Sequence, residues 1–142
     1  MRYWDASAIV PLLVCQDRTS EVEQLLELDS EMVTWWGTPI ECVSAVARLA
    51  REGGLDAEGV QDAELRLQAL RHCWDEVTPS EACRRTAERM LRVHVLRAAD
   101  SLQLAAALVA ADHDPSRVEL VCLDQRLSEA ARKEGFPLTI RV

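Results

Sequence analysis

Four acidic residues lie next to apolar segments, where a carboxylate is costly unless it caps a helix, forms a pair or binds something. Asp5 follows RYW, Glu41 lies in TPIE, Asp100 stands just before LQLAAALVAA, and Asp124 follows VELVCL. Each has an ordinary structural interpretation, as a helix cap or as a first-turn acid that complements the helix dipole. If the four converge instead, they repel one another, and a proton or a cation must offset their charge.

The kind of cation follows from the kind of ligand. All four candidates offer carboxylate oxygens, with no His or Cys among them, and such a set suits Mg²⁺ or Mn²⁺. An ion of this kind can activate water and stabilise charge on a phosphate. The sequence has no GxxxxGKS or GxxxxGKT loop and no visible Ser-His-Asp set. The residues therefore favour metal-dependent hydrolysis of a phosphodiester bond, with water as the nucleophile.

The elements that must position these acids can be predicted from the periodicity of apolar residues. Strands are predicted over about 1–5, 31–36, 74–78, 118–124 and 138–142, and helices over about 6–14, 19–29, 38–52, 56–72, 80–94, 98–111 and 125–135. The alternation predicts an α/β protein, a three-layer α/β/α sandwich with a mostly parallel central sheet. In such folds the site lies beyond the carboxyl ends of the strands, where all four acids are expected.

Local signals refine the helix boundaries. Asp5 or Ser7 is expected to cap the first helix, and Thr19 or Ser20 the second. The third is predicted to open with a capping box, in which Thr38 is the N-cap and Glu41 occupies the third helical position. In the fourth, four apolar residues are expected to pack: Val60, Leu65, Leu67 and Leu70.

Length and composition bound the possible classes. A chain of 142 residues predicts one domain over 1–142, and an apolar share of 49% supplies a globular core. The net charge of −8 argues against non-specific nucleic-acid binding. Five cysteines without a CxxC pair are interpreted as reduced core residues of a cytoplasmic protein. No apolar stretch is long enough for a membrane helix.

Two further groups of residues have open roles. The arginines of 84–97 form either a phosphate-contacting face or a solvated face that pairs with Glu81 and Glu88 at i, i+4 spacing. Of Trp35 and Trp36, alternation buries one, and the other is either exposed near the site or buried under a helix. The scattered histidines are expected to be surface or packing residues: His72, His94 and His113.

Four segments together resemble one family. YWDASAIV, PIECVSAVARL, LRAADSLQLAAAL and LVCLDQRLSEAARKEG span the chain in order, and the sequence resembles the PIN-domain family, most closely the VapC-type toxins of bacterial and archaeal toxin–antitoxin pairs. The resemblance implies an α/β/α nuclease with an acidic pocket for Mg²⁺ or Mn²⁺. By position, Asp5 and Asp100 resemble its principal metal ligands, Asp124 would complete the ion site, and Glu41 would be a ligand or orient the attacking water.

The same resemblance carries expectations about neighbours and partners. Ser7 matches a small hydroxyl residue often found near the first acid, whereas Cys122 stands where the family commonly has Thr. The implied substrate is RNA, and the implied assembly is a homodimer. A cognate antitoxin protein is expected to block the pocket, often by inserting basic side chains, which the negative charge of the pocket would attract.

Two alternatives remain. One is a PIN-like module that binds RNA or protein without cleavage. The other is a phospho-acceptor receiver domain, which is also doubly wound and uses Mg²⁺. A receiver would need paired acids after the first strand and a lysine at a late strand end, whereas Asp5 stands alone and Lys133 lies in a predicted helix.

Overall fold

The computed structural model describes the whole chain, Met1–Val142, and its elements follow the predicted order up to the last helix. They are β1 (Arg2–Trp4), α1 (Ala6–Leu13), α2 (Thr19–Leu28), β2 (Met32–Trp35), α3 (Thr38–Arg51), α4 (Ala57–Arg71), β3 (Trp74–Val77), α5 (Glu81–Val93), α6 (Ala98–Ala110), a 3₁₀ turn (Pro115–Arg117), β4 (Glu119–Val121) and α7 (Gln125–Glu134). The predicted α/β class is confirmed.

The four strands form one sheet in the order β3-β2-β1-β4, and every neighbouring pair is parallel. The chain moves outward from β1 through β2 to β3, then crosses back to place β4 on the other side of β1. The strand order therefore reverses between β1 and β4. In open parallel sheets this reversal opens a crevice at the carboxyl ends of the strands, where ligands bind.

Each face of the sheet carries its own hydrophobic core, which makes three layers. On one face, Tyr3 of β1 and Leu120 of β4 pack with buried residues of α5, α6 and α7. On the other face, Trp4 and Val121 pack with residues of α1, α3 and α4. Successive strand side chains point to opposite faces, so both faces of these short strands are apolar, as a covered parallel sheet requires.

Helix α6 is a largely buried, apolar helix. Its residues from Leu104 to Leu108 are all buried, and with α5 it covers the face of the sheet that carries Tyr3. Buried Ala residues allow the helix to approach the sheet closely. Two polar residues near the start of this helix, Ser101 and Gln103, are buried as well.

Several boundary predictions are wrong. The predicted strand over 138–142 is reduced to a single bridge between Leu138 and Leu120. Thr38 is not an N-cap: Gly37 holds that place without a side-chain cap, and the Thr38 hydroxyl accepts a hydrogen bond from Gln103 instead. Helix α2 likewise begins at Thr19 after Arg18, with no side-chain cap.

Three packing predictions also need correction. Leu65 is 57% exposed, although Leu67 of the same helix is buried. Cys15 and Cys73 are exposed, whereas the other three cysteines lie in the core, and all five are free thiols. The i, i+4 pairs with Glu81 and Glu88, one of the two interpretations of the arginines of 84–97, do not form on α5. Arg84 pairs with Glu81 one turn earlier, and Arg89 pairs with Glu134 of α7 at 2.8 Å.

None of the seven α-helices combines the length and the apolar character that crossing a bilayer would require.

Candidate acidic site

Asp5 and Asp124 lie on either side of the reversal in strand order. Asp5 directly follows β1, and its backbone N–H donates to the carbonyl of Val121 at 3.0 Å. Asp124 follows β4, the parallel neighbour of β1. Both carboxylates also cap helices: Asp5 accepts from the Ser7 N–H at 2.9 Å, and Asp124 accepts from the Leu127 N–H at 2.8 Å. Asp5 and Asp124 therefore act as helix caps and also follow neighbouring strands at the same edge of the sheet.

Ser7 ties these two segments together. Its hydroxyl oxygen accepts hydrogen bonds from the backbone N–H groups of Leu123 at 2.9 Å and Asp124 at 3.2 Å. The first turn of α1 is thereby fixed to the loop that leaves β4. The buried Cys122 thiol lies 3.7 Å from both the Ser7 hydroxyl and the Asp5 carboxylate. A thiol is a weak donor at this distance, so Ser7 makes the stronger connection.

Asp100 belongs to α6. It occupies the first turn, where its Oδ2 accepts from the backbone N–H of Arg97 at 3.1 Å. Asp100 and Asp124 line one open cleft of about 470 Å³, together with the side chains of Arg97 and Arg126. Two arginines therefore border two of the four acids, although Arg126 carried no signal in the sequence.

Glu41 reaches the site from the first turn of α3 and is half-buried. The pKa of its carboxyl group is raised from 4.5 to about 7, first by burial and then by the charges of Asp5 and Asp100, and a hydrogen bond from Gln103 offsets part of the rise. That bond runs from Nε2 of Gln103 to Oε1 of Glu41 over 2.9 Å. A carboxyl group whose pKa is raised to near neutral by burial and like charges is a recurrent feature of functional sites.

Electrostatic coupling connects all four acids. Asp5 is 4% exposed, and burial raises the pKa of its carboxyl group, hydrogen bonds from Ser7 lower it, and the charges of Asp124 and Asp100 raise it again. Since Glu41 is in turn influenced by Asp5 and Asp100, the four carboxylates share one electrostatic environment. As the side chains stand, however, no group of three or more His, Cys, Asp or Glu residues forms a ready metal site.

The hydrogen bonding of the four acids fits a hard cation. Each carboxylate uses one oxygen within the protein: Oδ2 of Asp5, Oε1 of Glu41, Oδ2 of Asp100 and Oδ1 of Asp124. The second oxygen of each has no such partner, and none is among the fully enclosed polar atoms that lack one. Four carboxylate oxygens at one sheet edge are the donors that Mg²⁺ and Mn²⁺ prefer.

Four other residues considered in the sequence lie outside this group of acids. Lys133, the only lysine, pairs with Glu129 on α7 at 2.9 Å, so it does not reach the acids as a receiver domain would require. Trp36 is 51% exposed and Trp35 is buried, as alternation predicted for one of the pair. Among the histidines, His94 packs against Glu134 with a 2.7 Å contact, consistent with a structural role.

Comparison with known proteins adds two solved structures. No protein-family model and no curated protein matches the sequence. A chain of a toxin-antitoxin complex from Klebsiella pneumoniae superposes with a TM-score of 0.65 at 15% identity, over 99% of this chain and 97% of that one. FitAcB from Neisseria gonorrhoeae gives 0.71 at 17% identity, over 97% and 96%. At these identities the likeness establishes a shared fold along the full chain.

Proposed function

We propose that this protein is a metal-dependent endoribonuclease that acts as the toxin of a toxin–antitoxin pair. The observation that carries the proposal is electrostatic: the charges of Asp124 and Asp100 act on Asp5, and the charges of Asp5 and Asp100 act on Glu41. Each of these carboxylates keeps one oxygen outside the internal hydrogen bonds. The fold shared with a chain of a toxin–antitoxin complex supports the biological role.

The roles of the acids follow from their positions. Asp5, Asp100 and Asp124 would hold Mg²⁺ or Mn²⁺, which supplies a Lewis acid for the phosphate and lowers the pKa of a bound water. Glu41 would complete the ligand set or accept a proton from the attacking water at its Oε2. Arg97 and Arg126 border the same cleft and would bind phosphate oxygens of the RNA.

The partners follow from charge and exposed apolar surface. An anionic site attracts basic side chains, so an antitoxin that inserts them would compete with the metal and the RNA. Ile40 and Val43 of α3, on either side of Glu41 in the sequence, and Trp36 in the turn before α3 are all about half exposed or more and would offer apolar contacts to a partner. We propose the homodimer on the family resemblance; light scattering that reports one chain per particle would refute it.

The experiment is cleavage of a mixed RNA pool with Mg²⁺, with Mn²⁺ and with EDTA. Asp5→Asn and Asp100→Asn are expected to reduce the rate on the order of 100-fold or more, because each removes a charged ligand. Asp62→Asn, an exposed acid of α4, is the matched control and should cleave like the wild type. Equal cleavage by all variants, or cleavage that persists in EDTA, would refute the proposal.

A second candidate is a PIN-like module that binds RNA or protein without cutting. It is favoured by the lack of a ready group of three metal-binding side chains. RNA retention by the wild type without cleavage, in either metal, would identify this function. A receiver domain would instead take phosphate from acetyl phosphate, and the position of Lys133 argues against it.

A further inference from the structure

A chain of buried hydrogen bonds runs from the middle of the molecule into the acidic site. The Tyr3 hydroxyl on β1 lies 2.7 Å from Oε1 of Gln103 on α6. Nε2 of Gln103 lies 3.0 Å from the Thr38 hydroxyl and 2.9 Å from Oε1 of Glu41. Tyr3 and Thr38 are 0% exposed and Gln103 is 1% exposed. Three elements, β1, α3 and α6, therefore meet at one amide.

The chemistry of the partners fixes which way the amide points. The Glu41 carboxylate can only accept a hydrogen bond, so an N–H of Gln103 must face it. The carbonyl oxygen Oε1 of Gln103 then lies against the Tyr3 hydroxyl, which donates to it. Nε2 must then face α3, where its two N–H groups donate to Thr38 and to Glu41.

A buried glutamine in an otherwise apolar helix face is costly unless its polar atoms are all used. Here the carbonyl and both N–H groups of Gln103 have partners. A core that served packing alone would be served as well by leucine, as at the neighbouring positions Leu104 and Leu108. The amide of Gln103 therefore does more than fill space in the core. Of its three partners, Glu41 is the one that belongs to the acidic site.

We propose that Gln103 is a positioning residue that holds the Glu41 carboxylate in the acidic site, and that Tyr3 sets the amide orientation this requires. The inference rests on the proposed function, since it gives Glu41 a part in RNA cleavage. Oε1 of Glu41 is anchored by the amide, and Oε2 has no hydrogen-bond partner within the protein. The same helix carries Asp100, so α6 positions two of the four acids at once.

The first test examines the amide and needs neither metal nor RNA. In nitrogen-15-labelled protein, the side-chain NH₂ protons of Gln103 are expected to exchange slowly with solvent. Tyr3→Phe should accelerate this exchange by roughly tenfold or more, because the amide loses the bond that sets its orientation. The exposed side chain of Gln61 on α4 is the internal control and should not change. Equal Gln103 exchange in both proteins would overturn the proposal.

The second test is a double-mutant cycle on RNA cleavage. Gln103→Leu and Tyr3→Phe are each expected to lower kcat roughly 10- to 100-fold with little change in KM, since they disturb a carboxylate and not RNA binding. In a Glu41→Gln background the same changes should have no further effect on the residual rate. Gln61→Leu controls for the substitution itself.

The outcomes separate this proposal from the proposed function. Equal losses in both backgrounds would mean that Gln103 serves only the core, and would overturn the positioning role. If Gln103→Leu fails to fold, Tyr3→Phe carries the cycle alone, because it removes one oxygen and keeps the ring. If the wild-type protein cleaves no RNA, the proposed function fails. The exchange of the Gln103 amide protons alone then decides whether the hydrogen bonds from Tyr3 through Gln103 position Glu41.

Discussion

At the scale of single residues, each of the four acids uses its two carboxylate oxygens differently. One oxygen of each carboxylate is used inside the protein, by backbone N–H groups for the aspartates and by Gln103 for Glu41. These bonds fix the carboxylates in place before any ligand arrives, which is the preorganisation that binding and catalysis need. The cost appears at Glu41, whose pKa is raised to about 7 by burial and by its acidic neighbours.

The raised pKa of Glu41 predicts a pH dependence of stability without divalent ions. Between its ordinary pKa of 4.5 and about 7, the unfolded chain releases a proton that the folded protein keeps. The contribution of Glu41 therefore lowers the free energy of unfolding as pH rises through this window, and the loss is complete above it. Glu41→Gln removes this loss.

The measurement is urea unfolding of the wild type and Glu41→Gln at about pH 4 and about pH 8. The free energy of unfolding of the variant minus that of the wild type should be larger at the higher pH by on the order of 1–2 kcal/mol. This value is reduced for the partial solvent exposure of Glu41. A difference between the two proteins that is constant over this range would contradict the shift.

At the scale of elements, the site depends on how helix starts are attached to the sheet edge. Ser7 in α1 accepts from two backbone N–H groups of the loop after β4, and Gln103 in α6 reaches the first turn of α3. The acids thus lie on a framework of cross-element hydrogen bonds, in addition to the two apolar cores. Such a framework limits the movement of helix starts that carry charge of the same sign.

Ser7→Ala is expected to lower the free energy of unfolding by about 1–3 kcal/mol, because two backbone donors lose their shared acceptor. Ser44→Ala, on an exposed position of α3, should change it by no more than about 0.5 kcal/mol. Chemical denaturation measures both. If the two substitutions cost the same, Ser7 does not hold the loop after β4.

Sequence periodicity was sufficient for the element order and the sheet class, because covered parallel strands and capped helices have strong local signatures. The segment 138–142 is β-branched and apolar, yet it makes only one bridge, since pairing depends on the geometry of β4 and not on its own sequence. Thr38 looked like an N-cap, but its hydroxyl is bonded by Gln103, sixty-five residues away. Long-range polar contacts of this kind leave no local signal.

The residues of the candidate site also divide into those that the sequence reveals and those that only the fold brings together. Asp5, Asp100 and Asp124 could be selected from the sequence because an acid after a strand or before an apolar helix is conspicuous. In the sequence, Gln103 is only a single polar residue within LQLAAAL, and its partner Tyr3 resembles any other residue of a strand. Arg126 is one of many arginines, and only the fold brings it to the cleft of Asp100 and Asp124.

At the scale of the whole molecule, charge distribution sets how an acidic protein would approach RNA. The net charge is −8, so long-range electrostatics oppose the encounter. Arg97 and Arg126 stand at the rim of the cleft that contains Asp100 and Asp124. Local cations next to a metal-neutralised site would give RNA a place to bind on a surface that otherwise repels it.

The combined substitution Arg97→Ala and Arg126→Ala is therefore expected to raise KM for RNA several-fold, and to flatten its dependence on salt concentration, with a smaller effect on kcat. Arg51→Ala, at the opposite end of α3 from Glu41, is the matched control and should leave KM unchanged. Steady-state cleavage at several salt concentrations measures both. An unchanged KM in the double variant would exclude a role for these arginines in RNA binding.

The central claim is that side chains from four separate segments form one cation site, and a crystal structure of the protein soaked in Mn²⁺ tests it most directly. The account predicts an anomalous difference peak at the carboxyl edge of the sheet, bound by Asp5 and at least one of Glu41, Asp100 and Asp124, and absent from Asp5→Asn crystals. Absence of a peak at saturating Mn²⁺, or a peak that none of these carboxylates touches, would contradict it.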